Sequence, residues 1–313
     1  MGCILGKVCK VCLTVFTFHV VRFTIVSFYY NIFAPLVKNI KLEEMGKWAV
    51  VTDACDGIGR AYAEVLAEKG MDIVLIGNEI DELNTIASKV ASQFRVKTKV
   101  IQADFTGDTA DVFGKLECEL CTLDIGVLVN NFSRKYPHPE YFLDLPHGKK
   151  IYEDIVKYNV SSLTNMTLIV LPRMVERGRG VIVNLSASAA VIPSPLLTVF
   201  GASEAYVEKF SRDLACEYSG RGVIIQCQLP GIIASNRGRI PRKSWLAPTP
   251  KEYVTRAVCK IGIERQTTGY FPHTVILGFI YILQCFSTRS VDWLILRTMR
   301  NIRNRAIQTY MGY

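Results

Sequence analysis

The chain has 313 residues, of which half are hydrophobic, and its formal net charge is +9. This length allows one large α/β domain with extensions, whose core is big enough to be stable without disulfides or metals. The charge is concentrated at the two ends: residues 1–45 carry +3, residues 265–313 carry +5 and the stretch between them only +1. Because the basic residues flank apolar segments, the pattern favours a membrane lipid surface as a partner and argues against nucleic acid.

The first segment, residues 1–45, is predicted to attach the chain to a membrane. Residues 11–36 are almost all apolar or aromatic, and about 20 such residues suffice to cross a bilayer. His19 and Arg22 lie near the middle, so the segment either spans the bilayer or lies in its interface with Arg22 reaching the headgroups. The first 42 residues contain no acidic residue. Mitochondrial presequences share this property, so a mitochondrial location is one alternative for the chain.

Residues 46–264 alternate short apolar runs with helical patterns, which predicts an α/β domain of the Rossmann type with a doubly wound parallel sheet. Ligands of such sheets bind at the carboxyl ends of the strands. The predicted strands are Trp48–Thr52, Asp72–Ile76, Lys97–Gln102, Ile125–Val129, Gly180–Leu185 and Val223–Leu229. The predicted helices are Ile58–Lys69, one ending at Phe94, Ile151–Glu176 and Leu197–Ser219.

Residues 265–313 form a hydrophobic and basic C-terminal extension. The apolar run 274–286 is too short to span a bilayer. After it, Ile295, Met299, Ile302 and Ala306 fall on one face of a helix. A basic amphipathic helix of this kind suits a membrane surface, and a helix packed on the domain shows the same stripe, so both interpretations stay open.

The ten cysteines are scattered along the chain. Two C-x-x-C pairs occur, Cys9 with Cys12 and Cys118 with Cys121. A structural zinc site needs four converging ligands, and neither pair has a convincing partner pair. We therefore predict no metal site and reduced thiols.

The first predicted strand runs into Thr52 and then the turn Gly57-Ile58-Gly59, where glycines allow the backbone to approach a pyrophosphate at a helix N-terminus. Polar or turn-forming landmarks follow the later strands and lie in the first long helix: Asp104, Asn130, Asn159, Pro230 and Gly231. These landmarks, in this order and on these elements, resemble the short-chain dehydrogenase/reductase superfamily over residues 47–264.

Four segments make the resemblance narrower: Gly46-Lys-Trp-Ala-Val-Val, Gln102-Ala-Asp-Phe, Gly126-Val-Leu-Val-Asn-Asn and Thr268-Gly-Tyr. They are similar to the membrane-bound 17β-hydroxysteroid dehydrogenases of types 3 and 12, of which the latter also reduce 3-ketoacyl-CoA, and to the inactive hydroxysteroid dehydrogenase-like proteins. The resemblance implies the endoplasmic reticulum, NADP(H) as the cofactor if binding is retained, and a hydrophobic steroid or acyl ligand. It is also compatible with a homodimer formed through the two long helices.

The catalytic residues of this family are largely replaced. Its Y-x-A-S-K motif aligns with Phe200-Gly-Ala-Ser-Glu204, and the position of its serine, thirteen residues earlier, holds Ala187. In the family the tyrosine exchanges the substrate proton, the lysine lowers the pKa of that tyrosine and holds the nicotinamide ribose, and the serine orients the carbonyl. Phe200 has no proton to transfer, and Glu204 is predicted to bring negative charge. Only Asn159, which anchors a proton relay in the family, is retained.

The predicted cofactor site is altered as well. Asp53 replaces the first glycine of the phosphate turn, Asn78 stands where NADP-using relatives place an arginine, and Ser133 replaces a glycine after Asn131. A carboxylate beside bound phosphates is repulsive. The residues retained for residual cofactor binding are Thr52, Gly57, Ile58, Gly59, Asp104, Asn130, Pro230 and Gly231, and a structural role is preferred for the glycines and for Asn130.

Three hypotheses follow from these residues. The leading one is a catalytically inactive member of the family, which acts as a membrane-attached scaffold, partner or ligand-binding protein and turns over no cofactor. The alternative is an NADP(H)-dependent oxidoreductase on 17β-hydroxysteroids or very-long-chain 3-ketoacyl-CoA, working through a different set of groups. The third is a sensor that binds a dinucleotide without turnover.

Overall fold

The computed structural model describes residues 2–37, 40–55, 57–106, 109–234 and 242–311. The side chains of residues 2–13, which include Cys9 and Cys12, lie outside what is described, so the predicted absence of a metal at this pair stays a prediction.

The centre of the molecule is a parallel sheet of seven strands in the order β3-β2-β1-β4-β5-β6-β7. The strands are β1 (Trp48–Thr52), β2 (Asp72–Gly77), β3 (Thr98–Gln102), β4 (Ile125–Asn130), β5 (Gly180–Leu185), β6 (Val223–Gln228) and β7 (Gln266–Thr267). The chain moves outwards from β1 in one direction and then returns to build the other half. This order confirms the predicted Rossmann-type doubly wound sheet.

Eleven α-helices are present in the described parts of the chain. They are α1 (Gly2–Phe28), α2 (Ala34–Val37), α3 (Gly57–Glu68), α4 (Ile80–Phe94), α5 (Thr109–Leu120), α6 (Gly148–Val156), α7 (Ser162–Arg177), α8 (Thr198–Glu217), α9 (Pro250–Val258), α10 (Phe271–Phe286) and α11 (Thr288–Met311). A π-helical turn, Tyr29–Phe33, joins α1 to α2, and a second one, Lys157–Ser161, joins α6 to α7.

Helices cover both faces of the sheet, as a parallel sheet requires. Strands β2, β4 and β5 are buried along their whole length, because their continuous apolar runs face helices on both sides. Helices α3, α4 and α9 form one core layer, and α5, α7 and α8 form the other. The sheet therefore holds the carboxyl ends of β1, β4, β5 and β6 side by side.

One predicted boundary needs correction. The C-terminal extension was expected to begin at residue 265, but β7 pairs with β6 at Cys227–Gln266 and Gln228–Thr267. The sheet thus continues into the segment assigned to the extension. A two-residue strand produces no periodic pattern, which is why the sequence does not reveal it.

The N-terminal stretch Thr14–Val37 is long and apolar enough to cross a membrane, with a mean hydropathy of 1.5. It packs against α10, a shorter apolar helix: the rings of Phe16 and Phe286 lie 5.5 Å apart. At the crossing, a Cβ on Gly278 would lie 2.2 Å from the Phe23 ring. The absent side chain of Gly278 therefore lets the two helices approach closely.

Candidate functional site

The phosphate turn keeps its backbone geometry. Helix α3 begins at Gly57, whose φ is +58°, a conformation that glycine adopts without strain. Gly59 has no room for a side chain, since a Cβ would lie 2.3 Å from the carbonyl oxygen of Asp53. These two glycines are needed for the turn itself, whether or not a nucleotide binds there.

Asp53 has a strained backbone conformation, and it interacts with other residues of the protein. Its φ is +48°, where a residue with a Cβ is disfavoured and the family's glycine is not. Its carboxylate interacts with the Tyr158 hydroxyl; burial first, and then the charge of Asp53, raises the pKa of that hydroxyl above its ordinary value. The Asp53 carbonyl accepts a hydrogen bond from Asn131 Nδ2 at 3.1 Å. The side chain that replaces the glycine is thus held beside the turn.

Asn130 links strands. Its Nδ2 donates to Asn184 Oδ1 at 2.9 Å, across the β4–β5 pair, and Asn184 Nδ2 donates to Ser211 Oγ at 2.9 Å. Thr52 works in the same way between β1 and β4, because its hydroxyl accepts the Asn131 N–H at 2.9 Å and donates to the Val129 carbonyl at 3.3 Å. Both residues show the structural role that the sequence suggested for Asn130.

Asp104, predicted to lie at the cofactor site, is turned onto its own loop. Its Oδ1 accepts from the Thr106 hydroxyl at 2.7 Å and from the Thr106 N–H at 2.9 Å. These hydrogen bonds hold the pKa of Asp104 below its ordinary value.

Asn78, at the position of the arginine in NADP-using relatives, is exposed after β2, and its backbone carbonyl accepts a hydrogen bond from Gln102 Nε2 at 3.0 Å.

Asn159 lies on the π-helical turn between α6 and α7 and is completely buried. Its amide bonds twice to the backbone of Arg134: Oδ1 accepts the N–H at 2.7 Å and Nδ2 donates to the carbonyl at 3.0 Å. Nδ2 also donates to Ser203 Oγ at 2.9 Å. The retained residue therefore fixes the loop after β4 against α8, and π turns of this kind commonly occur at functional sites.

Phe200 is part of a small apolar cluster with Tyr136, Leu145 and Ile155. Ala187, the other substituted catalytic residue on this side, packs against the same cluster. The Tyr136 hydroxyl accepts the Val199 N–H at 3.0 Å, and burial raises the pKa of Tyr136 to about 12. Sequence reasoning missed Tyr136, which is the hydroxyl that packs beside Phe200 and is a poorer proton donor than an ordinary tyrosine.

Glu204 is fully buried, and its Oε1 accepts a hydrogen bond from Ser133 Oγ at 3.1 Å. Its Oε2 has no hydrogen-bond partner. Burial raises the pKa of Glu204 to about 8, although the bond from Ser133 opposes this. The expectation of a negative charge at this position was therefore wrong at neutral pH, because an uncompensated buried carboxyl stays protonated.

Two departures from the family pattern thus meet in space. Ser133 replaces a glycine after β4, Glu204 replaces the lysine of α8, and the hydroxyl of the first bonds the carboxyl of the second. The sequence shows each replacement separately, and only the fold brings them together. Because Glu204 is fully buried and bonded to Ser133, its carboxyl is not exposed to the place where the family's lysine holds the nicotinamide ribose.

The tyrosine and lysine that follow the motif do not enter the site. The Tyr206 hydroxyl shares a hydrogen bond of 3.0 Å with Thr164 on α7, and its ring stacks on Phe210. Lys209 is exposed and pairs with Asp213. As the helical spacing predicts, neither residue reaches the Phe200 cluster.

Pro230 and Gly231 follow β6 and are tied to the rest of the fold. The Pro230 carbonyl accepts the Ser188 N–H at 3.1 Å, and the Gly231 N–H donates to His273 Nδ1 at 3.1 Å. Since Nδ1 accepts, Nε2 carries the proton and faces the carbonyls of Ile232 and Leu246, both at 3.2 Å. His273, which sequence reasoning also missed, fixes the start of α10 to this edge of the sheet.

Among the residues that the structure describes, one group of side chains has a spacing compatible with metal ligation, namely Cys55, Glu79 and Glu82, whose ligand atoms lie within 4.8 Å of one another. Burial raises the pKa of the Cys55 thiol, which disfavours the thiolate that metals require. Cys118 and Cys121 are free thiols, and Cys121 Sγ donates to the Cys118 carbonyl.

The family assignment rests on residues 47–243, which match the family model for short chain dehydrogenases. The chain belongs to this family. A very-long-chain 3-oxoacyl-CoA reductase of Anas platyrhynchos is 41% identical over 267 residues, which cover 85% of this chain and 84% of that protein. The protein of the same name from Bos taurus is 43% identical over 232 residues, or 74% of either chain.

Solved structures of the family show the same fold. A 7β-hydroxysteroid dehydrogenase structure, 23% identical, superposes with a TM-score of 0.71 and covers 82% of this chain and 99% of its own. A short-chain dehydrogenase from Sphingobium yanoikuyae in complex with NADPH, 27% identical, has a TM-score of 0.62 over 71% of this chain and 86% of its own. The family model supports the predicted superfamily, and the names of the sequence relatives support its acyl-CoA branch, whereas support for an inactive member comes only from this chain's own residues.

The described residues fit a dinucleotide in part. The turn at Gly57 and Gly59 and the N-terminus of α3 retain the backbone that cradles a phosphate. On the nicotinamide side the fit fails, because the lysine position holds a fully buried carboxyl and the tyrosine position holds Phe200. The nicotinamide side therefore lacks the tyrosine and the lysine that exchange the proton and hold the ribose in the family.

Proposed function

We propose that this chain is a membrane-attached member of the short-chain dehydrogenase family, related to very-long-chain 3-oxoacyl-CoA reductases, that binds a hydrophobic ligand without reducing it. The observation that carries the proposal is Phe200 at the position of the catalytic tyrosine, in an apolar cluster with Ala187 at its edge. The loss of a general acid alone lowers the rate by about 10²–10⁴-fold.

The surroundings of Phe200 support this proposal. The neighbouring Tyr136 accepts a backbone hydrogen bond and has a raised pKa, so it is not activated as a proton donor. Glu204 can hold a proton, yet it is sealed behind Ser133 and has no exposed surface. A reacting carbonyl would need one of these groups within hydrogen-bond reach.

The second candidate is an active NADP(H)-dependent 3-oxoacyl-CoA reductase of the endoplasmic reticulum. It is favoured by the names of the relatives, which share 41–43% identity over most of the chain, and these names support it more directly than they support an inactive protein. The relative from Sphingobium yanoikuyae, solved with NADPH, supports NADP(H) as the cofactor of this candidate.

One assay separates the two candidates. The full chain in detergent micelles is mixed with NADPH and a long-chain 3-oxoacyl-CoA, and NADPH absorbance is followed beside the bovine relative as a positive control. We expect no turnover above background. A variant with Phe200→Tyr, Glu204→Lys, Ala187→Ser, Ser133→Gly and Asp53→Gly should gain measurable activity, and adding Tyr206→Phe to this variant should leave that activity unchanged.

Robust turnover by the unaltered chain would contradict the proposal and establish the reductase. Gly57→Asp, which puts a carboxylate where a phosphate would bind, should then abolish that turnover. If the fivefold variant folds but remains inactive, residues beyond these five have also diverged, which strengthens the interpretation of a binding protein.

A further inference from the structure

A cavity of about 540 Å³ lies between α1 and α10, outside the Rossmann domain. Aromatic and aliphatic side chains make most of its wall, among them Phe16, Phe23 and Val26 on α1 and Ile282 and Phe286 on α10. Its size is within the range of pockets that hold small molecules, about 300–1,000 Å³. An apolar cavity of this kind suits a hydrocarbon chain.

A second cavity, of about 390 Å³, continues from the first towards the sheet. The two share Phe23, Val26 and Tyr281 in their walls, so they form one groove along the helix pair. The inner cavity reaches Ile192, after β5, and Leu229, after β6. From Thr274 to Phe286, α10 borders the groove over 13 residues, and at 1.5 Å rise per residue these two ends lie about 18 Å apart.

The groove is held open by defined packing. Gly278 allows α10 to cross α1 at Phe23, and His273 fixes the start of α10 through Gly231. At the other end the rings of Phe16 and Phe286 touch. The two helices therefore meet at the crossing and at the outer end and leave space between these contacts.

The charged wall of the outer cavity is cationic. Arg22 lines it, together with His19, and none of the described residues around it is acidic. A cationic residue in the middle of a segment apolar enough for a membrane is costly to bury, and such residues usually face a functional cavity. Arg22 thus places a positive charge in a cavity whose other walls suit a hydrocarbon chain.

We propose that this groove binds a single-chain lipid with a carboxylate head, of the fatty-acid type, whose head pairs with Arg22 and whose chain lies between α1 and α10 towards Ile192. Charge complementarity places the head in the outer cavity, because the inner cavity contains Glu264. None of the residues assigned to the cofactor lines either cavity, and the proposal does not depend on whether the chain reduces a substrate.

The proposal is tested with the full chain in phosphatidylcholine nanodiscs. A photoreactive fatty acid is cross-linked to it, and oleate or oleyl alcohol, which has the same chain without the charge, competes. We expect labelled peptides from residues 15–26 and 281–286, and competition by oleate at a concentration about fivefold or more below that of the alcohol.

Two variants and two matched controls locate the contacts. Arg22→Gln should weaken oleate about fivefold and leave oleyl alcohol unchanged, whereas Arg297→Gln, on α11 and outside the groove, should change neither. Ile282→Trp fills the outer cavity and should weaken both competitors, whereas Phe279→Trp, exposed on the same helix, should not.

Equal competition by oleate and the alcohol would overturn the proposal, since the groove would then be covered by membrane lipid without head-group selection. Labelling that is unaffected by Ile282→Trp would overturn it as well. Circular dichroism and retention in the nanodisc check that Arg22→Gln keeps its fold, and the Ile282 variant tests the site without touching the charge.

Discussion

Glu204 illustrates how burial changes the chemistry of a residue that looks simple in the sequence. It replaces a lysine, so the sequence alone suggests a reversal of charge. The structure instead buries the carboxyl completely, gives it one hydrogen bond from Ser133 and leaves Oε2 without a partner. The consequence is a proton retained up to a pKa of about 8 and no net charge at neutral pH.

This raised pKa predicts a pH dependence of stability. The unfolded chain releases the Glu204 proton near pH 4.5 and the folded chain only near pH 8. The stability associated with the protonated form is therefore fully present below pH 4.5 and is lost as the pH rises through 8. Glu204→Gln should remove this slope and stabilise the protein above pH 8 by a few kcal/mol, since one pKa unit is worth about 1.4 kcal/mol.

Urea unfolding of the detergent-solubilised full chain, followed from pH 5 to pH 9, measures the effect. Glu208→Gln, on the same helix but paired with Arg212, controls for changes in α8 itself. If Glu204→Gln shows the same slope as the unaltered protein, the carboxyl is charged in the folded state and this account of its burial is wrong.

Asp53 predicts two separable effects. Asp53→Gly should relieve the positive φ, which is worth about 1 kcal/mol of unfolding free energy, and the lost interaction with the Tyr158 hydroxyl should offset part of this gain. It should also strengthen NADPH binding from a weak or undetectable level, because it removes a carboxylate near the phosphate turn, a change worth about 1 kcal/mol or more.

Calorimetry with NADPH and thermal unfolding measure these two effects. Asp53→Asn is the matched control: it removes the charge and keeps the strain, so it should improve binding with little gain in stability. A tight NADPH complex of the unaltered protein would contradict the repulsion at this turn.

Among the elements, the strands and long helices were predictable because their periodicity is strong. β5 has its predicted bounds, and α8, Thr198–Glu217, differs from its predicted range by one residue at its start and two at its end. No sequence pattern indicates β7, because this strand has only two residues, and none indicates the π turn at Asn159, because this turn continues a helical pattern. The Ser133–Glu204 contact joins residues 71 positions apart, and no local pattern reports such a pair.

The burial of residues in the C-terminal helix α11 only partly follows the apolar face that the sequence predicts. Ile295, Met299 and Ala306 are partly buried as the pattern predicts, but Ile302 is 44% exposed. Arg303 turns inwards instead and pairs with Glu140, which is only 5% exposed, in the loop after β4. The helix therefore packs on the domain through a charged pair as well as through its apolar residues.

This pair predicts that α11 holds the loop which packs over Phe200. Although burial opposes it, the hydrogen bond from Arg303 keeps the pKa of Glu140 below its ordinary value. Arg303→Met leaves a buried carboxylate without its cation, which should cost about 1–3 kcal/mol and speed hydrogen exchange in residues 133–147. Adding Glu140→Gln should recover much of the loss, and the exposed Arg305→Met should have no effect. Unchanged exchange in this loop would show that α11 does not hold it.

At the scale of the whole molecule, the nearly neutral domain lies between two basic and apolar ends that contact each other. Helix α1 packs on α10, and Lys260 near the end of α9 donates to Asn31 in the turn after α1. Leu42 is buried in the hydrophobic core of the Rossmann domain, so the packed domain begins several residues before β1. The two ends therefore form one apolar surface, with Phe279, Tyr281 and Phe286 exposed on α10, and we expect this surface to contact the membrane.

This arrangement predicts graded membrane attachment. Cells expressing the full chain should hold it in the membrane fraction through both salt and carbonate washes, because the stretch Thr14–Val37 is long enough to span. A version that starts at Ile40 keeps Leu42 and hence the core, but it loses α1. It should still bind membranes through α10 and the basic α11, and salt should release it, because exposed charges are screened. Replacing Arg297 and Arg305 with Gln in this short version should lower the salt needed for release. If the full chain is soluble at low salt, membrane attachment is wrong; if the version from Ile40 resists carbonate, the C-terminal helices rather than α1 are the anchor.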